Sequence, residues 1–229
     1  MPVTALDYTP VRLLIEAESD PEIKYRAHAC AKEPWTVAVI EQAAAETPGA
    51  VWWDVGANTG PYSLIAIALG LRCVAIEPGY QNYARLCHNL ALNHFLDRPL
   101  VLCGALGETP GFAPFHYADL RPGAASHTLG GDRPAGFHRQ NVVVYRLDDL
   151  VAGTGLEGPH WLKIDVDGGE IGVLRGGEAF LRSPELRGIV LEMQPELEAE
   201  ATAILAAAGW SVVERHAPRQ GVAYGVFRR

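Results

Sequence analysis

A chain of 229 residues can bury a sizeable core without dividing, so one domain is expected. Its 48% hydrophobic and 20% charged residues are those of a globular protein, and no apolar run approaches the roughly 20 residues that a membrane-spanning helix needs. The formal net charge of −8, with arginines dispersed along the chain, leaves no basic footprint for a phosphate backbone and argues against nucleic acid as a partner.

The stretch from Met1 to Asp20 lacks a basic region followed by an apolar core, so no secretory signal is read and a cytoplasmic location is expected. Residues 1–48 carry a helical pattern around Trp35 to Glu46 and are expected to cap the sheet or cover the mouth of the site. From residue 49 to residue 229, short apolar runs alternate with helical stretches. That alternation predicts an α/β fold, a parallel sheet with helices on both faces. The expected strands are Ala50 to Val55, Arg72 to Glu77, Pro99 to Gly104, His160 to Val166 and Gly188 to Met193. The expected helices are Tyr62 to Leu69, Tyr80 to Asn93, Glu170 to Leu181 and Glu196 to Ala208, the last stopped by Gly209. Beyond it, "WSVVER" and "GVAYGVFRR" predict an antiparallel hairpin that closes the sheet. Residues 109–150 read as an insertion: a hairpin of "FAPFHYADL" with "NVVVYRL", and a mobile loop from Arg121 to Gln140. Cys30, Cys73, Cys87 and Cys103 form no CxxC pair and are expected to be reduced, partly buried thiols. The sequence does not fix the oligomeric state, and a homo-oligomer is compatible with it.

In "DVGANTGPYS", Gly56 and Gly60 permit a tight turn and close approach to a ligand, and Pro61 suits a first helical position. Ligands of open α/β sheets sit at the carboxyl ends of the strands, which makes this loop the expected cofactor site. The middle glycine of a dinucleotide fingerprint is missing, and a carboxylate at Asp54 would repel a pyrophosphate while attracting a sulfonium or ammonium. Glu77, 23 residues after Asp54 at a strand end, suits hydrogen bonds from two ribose hydroxyls. S-adenosyl-L-methionine satisfies both acids.

The runs "DVGANTGPYSLIA", "AIEPGYQNYARLCHNLALN", "LDDL", "KIDVDGGEIGVLRGG" and "IVLEM" together resemble the successive motifs of the FkbM family of class I S-adenosylmethionine-dependent methyltransferases. The resemblance implies a Rossmann-like sheet of seven mainly parallel strands with an antiparallel closing pair. It also implies methyl transfer to a hydroxyl of a small molecule such as a sugar, an aminocyclitol or a natural-product scaffold. By position it places Asp54, Gly56, Asn58 and Gly60 at the methionine end of the cofactor, with Tyr62 and Ser63 close by. Glu77 falls at the ribose, Pro78 at the adenine edge, and Gly104 and Ala105 beside the adenine. Ser126 falls in the loop before the substrate site. Two departures stand out: the acid-glycine-alanine-glutamate run is here Asp167, Gly168, Gly169 and Glu170, and a proline stands at position 61.

An alcohol needs a proton acceptor or a metal to become a nucleophile. Asp165, at the strand end beside the cofactor site, is the leading catalytic candidate. If the strand persists through Val166, Asp165 and Asp167 share a face. With Glu170 at the first turn of the next helix, the three carboxylates could hold Mg²⁺, with Asp165 and Asp167 as the leading ligands, or one of them could act as a base. Glu170, in the next helix's first turn, and His127, with a pKa suited to proton abstraction, are further catalytic candidates. Glu192 points toward the same crevice as a substrate or metal contact. Each acid also fits an ordinary turn or helix start, and Lys163 reads as a packed strand residue with its amine at the edge. Three rivals to O-methylation remain at this stage: N- or carboxyl-methyl transfer on the same fold, a nucleotide-cofactor oxidoreductase, and a non-catalytic adenosyl-binding domain.

Overall fold

The computed structural model describes residues 2–131, 138–217 and 221–229. The first elements are an antiparallel ribbon of β1 (Val3–Ala5) and β2 (Leu14–Glu16), a π-helical turn (Glu22–Arg26), a short helix α1 (Ala29–Lys32) and α2 (Pro34–Glu46). Only α2, opened by Pro34, is legible as a helix from apolar spacing. There follow β3 (Val51–Val55), α3 (Pro61–Ala68), β4 (Arg72–Ile76), α4 (Tyr80–Leu92), β5 (Leu100–Leu102) and β6 (Ala105–Leu106). Next come β7 (Gly111–Tyr117), β8 (Thr128–Leu129), β9 (His138–Tyr145), α5 (Leu147–Thr154), β10 (Trp161–Ile164) and α6 (Glu170–Gly176). The last elements are β11 (Gly188–Met193), α7 (Glu198–Ala207), β12 (Ser211–His216) and β13 (Ala223–Arg228).

The central sheet has seven strands in the order β12, β13, β11, β10, β3, β4, β5. Strands β11, β10, β3, β4 and β5 run parallel, and β13 is antiparallel to both β11 and β12, which is the closure expected from the sequence. The chain passes from β3 outward through β4 to β5, then returns to β10 on the other side of β3. That reversal opens a crevice at the carboxyl ends of β3 and β10. A second sheet, in the order β6, β9, β7, β8, contains the inserted hairpin, with Gly111 opposite Val144 and Tyr117 opposite His138.

Several boundaries differ from the sequence pattern. The strand expected over His160 to Val166 ends at Ile164, because Asp165 and Val166 already turn toward a left-handed Asp167 (φ 55°). The helix expected through Leu181 stops at Gly176 and resumes as a single 3₁₀ turn, Phe180–Arg182. The insertion expected to run through Leu150 ends earlier, since Leu147 and Leu150 lie buried in the main core on α5. The mobile loop expected over Arg121 to Gln140 includes residues 132–137, which lie outside the described residues. Its residues 138–140 instead open β9, and residues 122–126 are held by hydrogen bonds to Ser19, Arg26, Asn58, Asn82 and Asp167.

Strand alternation sorts the sheet's side chains into two layers. Trp53, Leu162 and Leu191 face α5, α6 and α7, whereas Trp52, Trp161, Val190 and Val226 face α2 and α3. By the same period of two, Asp54, Lys163, Glu192 and Tyr224 point to the α2 and α3 side. Register then makes neighbours of them: Lys163 lies opposite Asp54, and Glu192 opposite Tyr224. The residues before β3 share this core through Leu6, Tyr8, Leu13, Val37 and Ile40. They are anchored to α4 by the buried Arg85, which pairs with Glu16 and, through Nε at 2.6 Å, with Glu22.

Candidate active site

Strand β3 delivers the chain into a loop whose first residue, Gly56, has φ 81°. A Cβ there would lie 1.7 Å from the carbonyl oxygen of Asp165, so no side chain fits between the β3 and β10 loops. Asn58, also left-handed at φ 51°, donates its backbone N–H to Glu77 Oε2 at 2.8 Å, and Gly79 N–H donates to Glu77 Oε1 at 2.8 Å. Burial pushes the Glu77 carboxyl up to about 7, against the pull of those two N–H groups and of the Arg26 charge.

A cavity of about 360 Å³ opens at this point. Among the residues expected at the cofactor, Gly56, Asn58, Glu77 and Pro78 line it. Gly104 and Ala105 line a narrow adjoining slot with Ile76, Leu106 and Leu129; Gly56, Pro78, Phe115 and Val166 border both. A carboxylate at the mouth of a flat apolar slot, beside a glycine backbone that admits close approach, fits the ribose and adenine of an adenosyl group.

Asp54, Gly60, Tyr62 and Ser63 lie behind this surface and do not line the cavity. Asp54 is fully buried; its Oδ2 accepts the Ser63 hydroxyl at 2.7 Å and its Oδ1 lies 3.3 Å from Lys163 Nζ. Its charge is therefore answered within the protein and does not face a sulfonium directly. Tyr62 donates its hydroxyl to the carbonyl of Ala29 at 3.1 Å, and Gly60 is the left-handed residue that starts α3, closed over by Leu86. These four support the loop.

Asp165, Asp167 and Glu192 all line the cavity. Asp165 Oδ2 sits 3.3 Å from Lys163 Nζ. Burial opposes its ionisation, but the charges of Lys163 and Lys32 and a proton shared with Glu192 hold its pKa down to about 2. Burial together with the Asp165 charge pushes Glu192 up to about 10, and Tyr224 donates its hydroxyl to Glu192 Oε1 at 2.7 Å. Near neutral pH the two acids thus hold one proton, on Glu192. Lys163, expected with its amine at an edge, is instead 2% exposed, with that amine between Asp54 and Asp165. Despite its burial, those carboxylates and Glu33 raise its pKa and keep it charged.

Two catalytic candidates change role. Glu170 is buried and absent from the cavity wall; its Oε1 accepts from Gly168 N–H at 3.0 Å and Val166 N–H at 3.3 Å, so it braces the turn. His127 does line the cavity, but its Nδ1 accepts Ala118 N–H at 3.3 Å and its ring packs against Phe115 and Tyr117. Burial and the Arg26 charge lower its pKa to about 4, leaving a neutral ring whose other nitrogen carries the proton and can only donate. His116 bonds to Gly131 O at 3.2 Å, and His138 is an exposed residue at the start of β9. Ser126, left-handed at φ 63°, donates its backbone N–H to Asp167 Oδ2 at 2.7 Å beside the cavity. Burial and the Asp165 charge push Asp167 up to about 6.

The expected Mg²⁺ pair, Asp165 and Asp167, does not form a metal site. One acid is committed to the Lys163 ammonium and the other to Ser126 N–H, and among the described residues no cluster of three or more His, Cys, Asp or Glu could hold a metal ion. Other wall residues escaped sequence reasoning. Arg26 and Lys32 precede the recognisable motifs, and Asn82 sits on the inner face of α4, donating to the carbonyl of Ala124 at 3.2 Å. An Asn among apolar helix positions was the one available signal for Asn82. Gln194 and Val222 follow β11 and precede β13.

Comparison with known proteins bears on the family and the fold. The family model described as "Methyltransferase FkbM domain" matches residues 54–212. A search of curated proteins gave no match. Among solved structures, the chain resembles magnesium protoporphyrin IX methyltransferase from Synechocystis PCC 6803 with bound S-adenosylmethionine: TM-score 0.56, 12% identity, 93% of this chain and 86% of that one. It also resembles ribosomal protein L11 methylase from Lactobacillus delbrueckii subsp. bulgaricus, at TM-score 0.54 and 10% identity over 86% and 78% of the two chains. A third likeness is to precorrin-6y C5,15-methyltransferase from Geobacter metallireducens GS-15, at TM-score 0.51 and 18% identity over 84% and 85%. At these identities the three structures speak for the fold.

Proposed function

Because this chain belongs to the FkbM family of S-adenosylmethionine-dependent methyltransferases, we propose that it methylates a hydroxyl of a small polar molecule of the sugar or natural-product-scaffold kind. One observation carries the reading: Asp165, 3.3 Å from the Lys163 ammonium, stands on the cavity wall together with Glu192, which accepts the Tyr224 hydroxyl at 2.7 Å. An ionised carboxylate with a free lone pair at the wall is the complement of a hydroxyl group.

S-adenosylmethionine supplies, when bound, a methyl group on a positively charged sulfur. Asp165 accepts the hydrogen bond of the attacking hydroxyl and aims its oxygen. As the new C–O bond forms, the hydroxyl proton becomes far more acidic than a carboxyl, so even a carboxylate with a low pKa takes it. Lys163 keeps Asp165 ionised for that step. The test is a screen with radiolabelled methyl donor over hydroxylated sugars, aminocyclitols and scaffold alcohols, beside amines and carboxylic acids. Label in an ether supports the reading; label confined to nitrogen or to a carboxyl ester overturns it.

Glu77 gives the cofactor site a pH dependence. The ribose hydroxyls donate to its ionised form, which dominates above about pH 7. Affinity for S-adenosylhomocysteine is therefore expected to rise by up to about tenfold between about pH 6 and about pH 8. The free protein moves the other way: an acid whose folded pKa is raised stabilises the fold below its unfolded pKa, and that contribution is lost as pH rises through about 7. Calorimetry and thermal denaturation over the same pH series check both signs, and a flat affinity would remove Glu77 from the ribose.

A further inference from the structure

The cavity wall is rich in acid: Glu77, Asp165, Asp167 and Glu192 all face it. The amino-acid end of S-adenosylmethionine carries a carboxylate, which such a wall repels unless a cation stands close by. The described cations on the wall are Arg26 and Lys32, both outside the span 54–212 that defines the family. Lys32 is committed, its Nζ lying 2.7 Å from Glu33 Oε1. Arg26 donates through Nε to the carbonyl of Gly123 at 2.8 Å and pairs with no carboxylate among the described residues, so the rest of its fork is free.

We propose that Arg26 binds the methionine carboxylate of S-adenosylmethionine, so that the N-terminal segment completes the cofactor site.

Position and preorganisation both support this. Arg26 and the cofactor-loop residue Asn58 lean on consecutive residues of one strap: Arg26 on the carbonyl of Gly123 and Asn58 Nδ2 on that of Ala124 at 2.8 Å. That places the guanidinium on the Asn58 side of the cavity. Its charge is felt at both ends of the site, where it favours the ionised forms of Glu77 and Asp167 and disfavours protonation of His127. The residue ends a π-helical turn, a rare conformation that concentrates at functional positions, closed by Ala27 N–H donating to Glu22 O at 2.9 Å. Glu22 itself is buried against Arg85, and Ser19 Oγ donates to Pro122 O at 2.5 Å, so turn and strap are fixed to each other. Gly123, at φ 81°, lets the strap come this close: a Cβ would lie 2.8 Å from Glu22 Cγ. A guanidinium so held presents two parallel donors to a carboxylate.

The experiment compares calorimetric affinities for S-adenosylhomocysteine and for 5′-methylthioadenosine, which has the nucleoside and sulfur but no amino-acid end. At about pH 8, where Glu77 is largely ionised, Arg26→Gln is expected to weaken S-adenosylhomocysteine by roughly 10- to 100-fold and to leave methylthioadenosine within about twofold. Arg26→Lys should recover part of the loss. Ser19→Ala loosens the strap without removing the charge and should preserve the preference for the longer ligand. In the unaltered protein, added salt should weaken S-adenosylhomocysteine more steeply than methylthioadenosine, a readout that needs no variant to fold. Parallel loss of both ligands in Arg26→Gln, equal loss of preference in Ser19→Ala, or equal salt slopes would overturn the proposal. So would unchanged binding accompanied by a raised KM for the methyl acceptor, which would assign Arg26 to an acceptor anion.

Discussion

Asp165→Asn is expected to lower turnover by about 10²- to 10⁴-fold, the range for loss of a positioned proton acceptor, while affinity for S-adenosylhomocysteine stays essentially unaltered. The separation follows from where the residue touches the site. Its backbone carbonyl closes against Gly56 and survives the substitution, whereas its side chain faces the acceptor end with Glu192. The amide keeps the shape but neither charge nor basicity. Glu192, protonated mainly by burial and by the neighbouring negative charge, should ionise more readily in the variant, since one of those two causes is gone. Single-turnover kinetics beside calorimetry separates the effects. A rate within severalfold of the unaltered protein, or affinity lost in step with rate, would refute the assignment.

Lys163→Met is expected to be the most destabilising substitution in the sheet. It leaves the fully buried Asp54 without its ammonium partner, a loss of about 3–5 kcal/mol for a broken buried pair. At this chain length each kcal/mol moves Tm by about 2–4 °C, so a fall on the order of 10 °C is expected in a thermal melt. The double variant Asp54→Asn/Lys163→Met removes both charges and should recover most of that loss. An additive double variant would mean that the two groups act independently and that the pairing is incidental. Any surviving Lys163→Met protein should also show a raised Asp165 pKa, since the Lys163 charge is the largest influence holding it down.

The parallel sheet and its antiparallel closure were legible because buried parallel strands read as near-continuous apolar runs and the helices between them as spaced ones. The glycine loop and Glu77 were legible because close backbone approach and a strand-end acid each demand a residue type. Chain order alone did not reveal register. Lys163 looks like a packed strand residue until β10 pairs with β3 and sets it opposite Asp54. Asp54, read as a ligand contact from its charge, is a buried partner for the same reason. For Glu170 and His127, a residue type suited to proton transfer says nothing of whether its lone pairs are already used, here by Gly168, Val166 and Ala118. Arg26 was invisible, since a π-helical turn leaves no apolar period and the ribbon before it consists of two three-residue strands.

The bond from Tyr224 to Glu33, 3.3 Å long between residues 191 apart in sequence, has a temporal meaning. Strand β13 lies between β11 and β12, so the sheet cannot close until residues 223–228 have been synthesised. Glu33, which begins α2 only a few residues after Arg26, meets Tyr224 only then. Contacts of such separation form late, after loop closure has been met elsewhere. During translation the glycine loop and Glu77 can be assembled while the segment carrying Arg26 still lacks its last tether. With Arg26 in the proposed role, tight binding of the methyl donor is expected to come among the final properties this chain acquires as it folds.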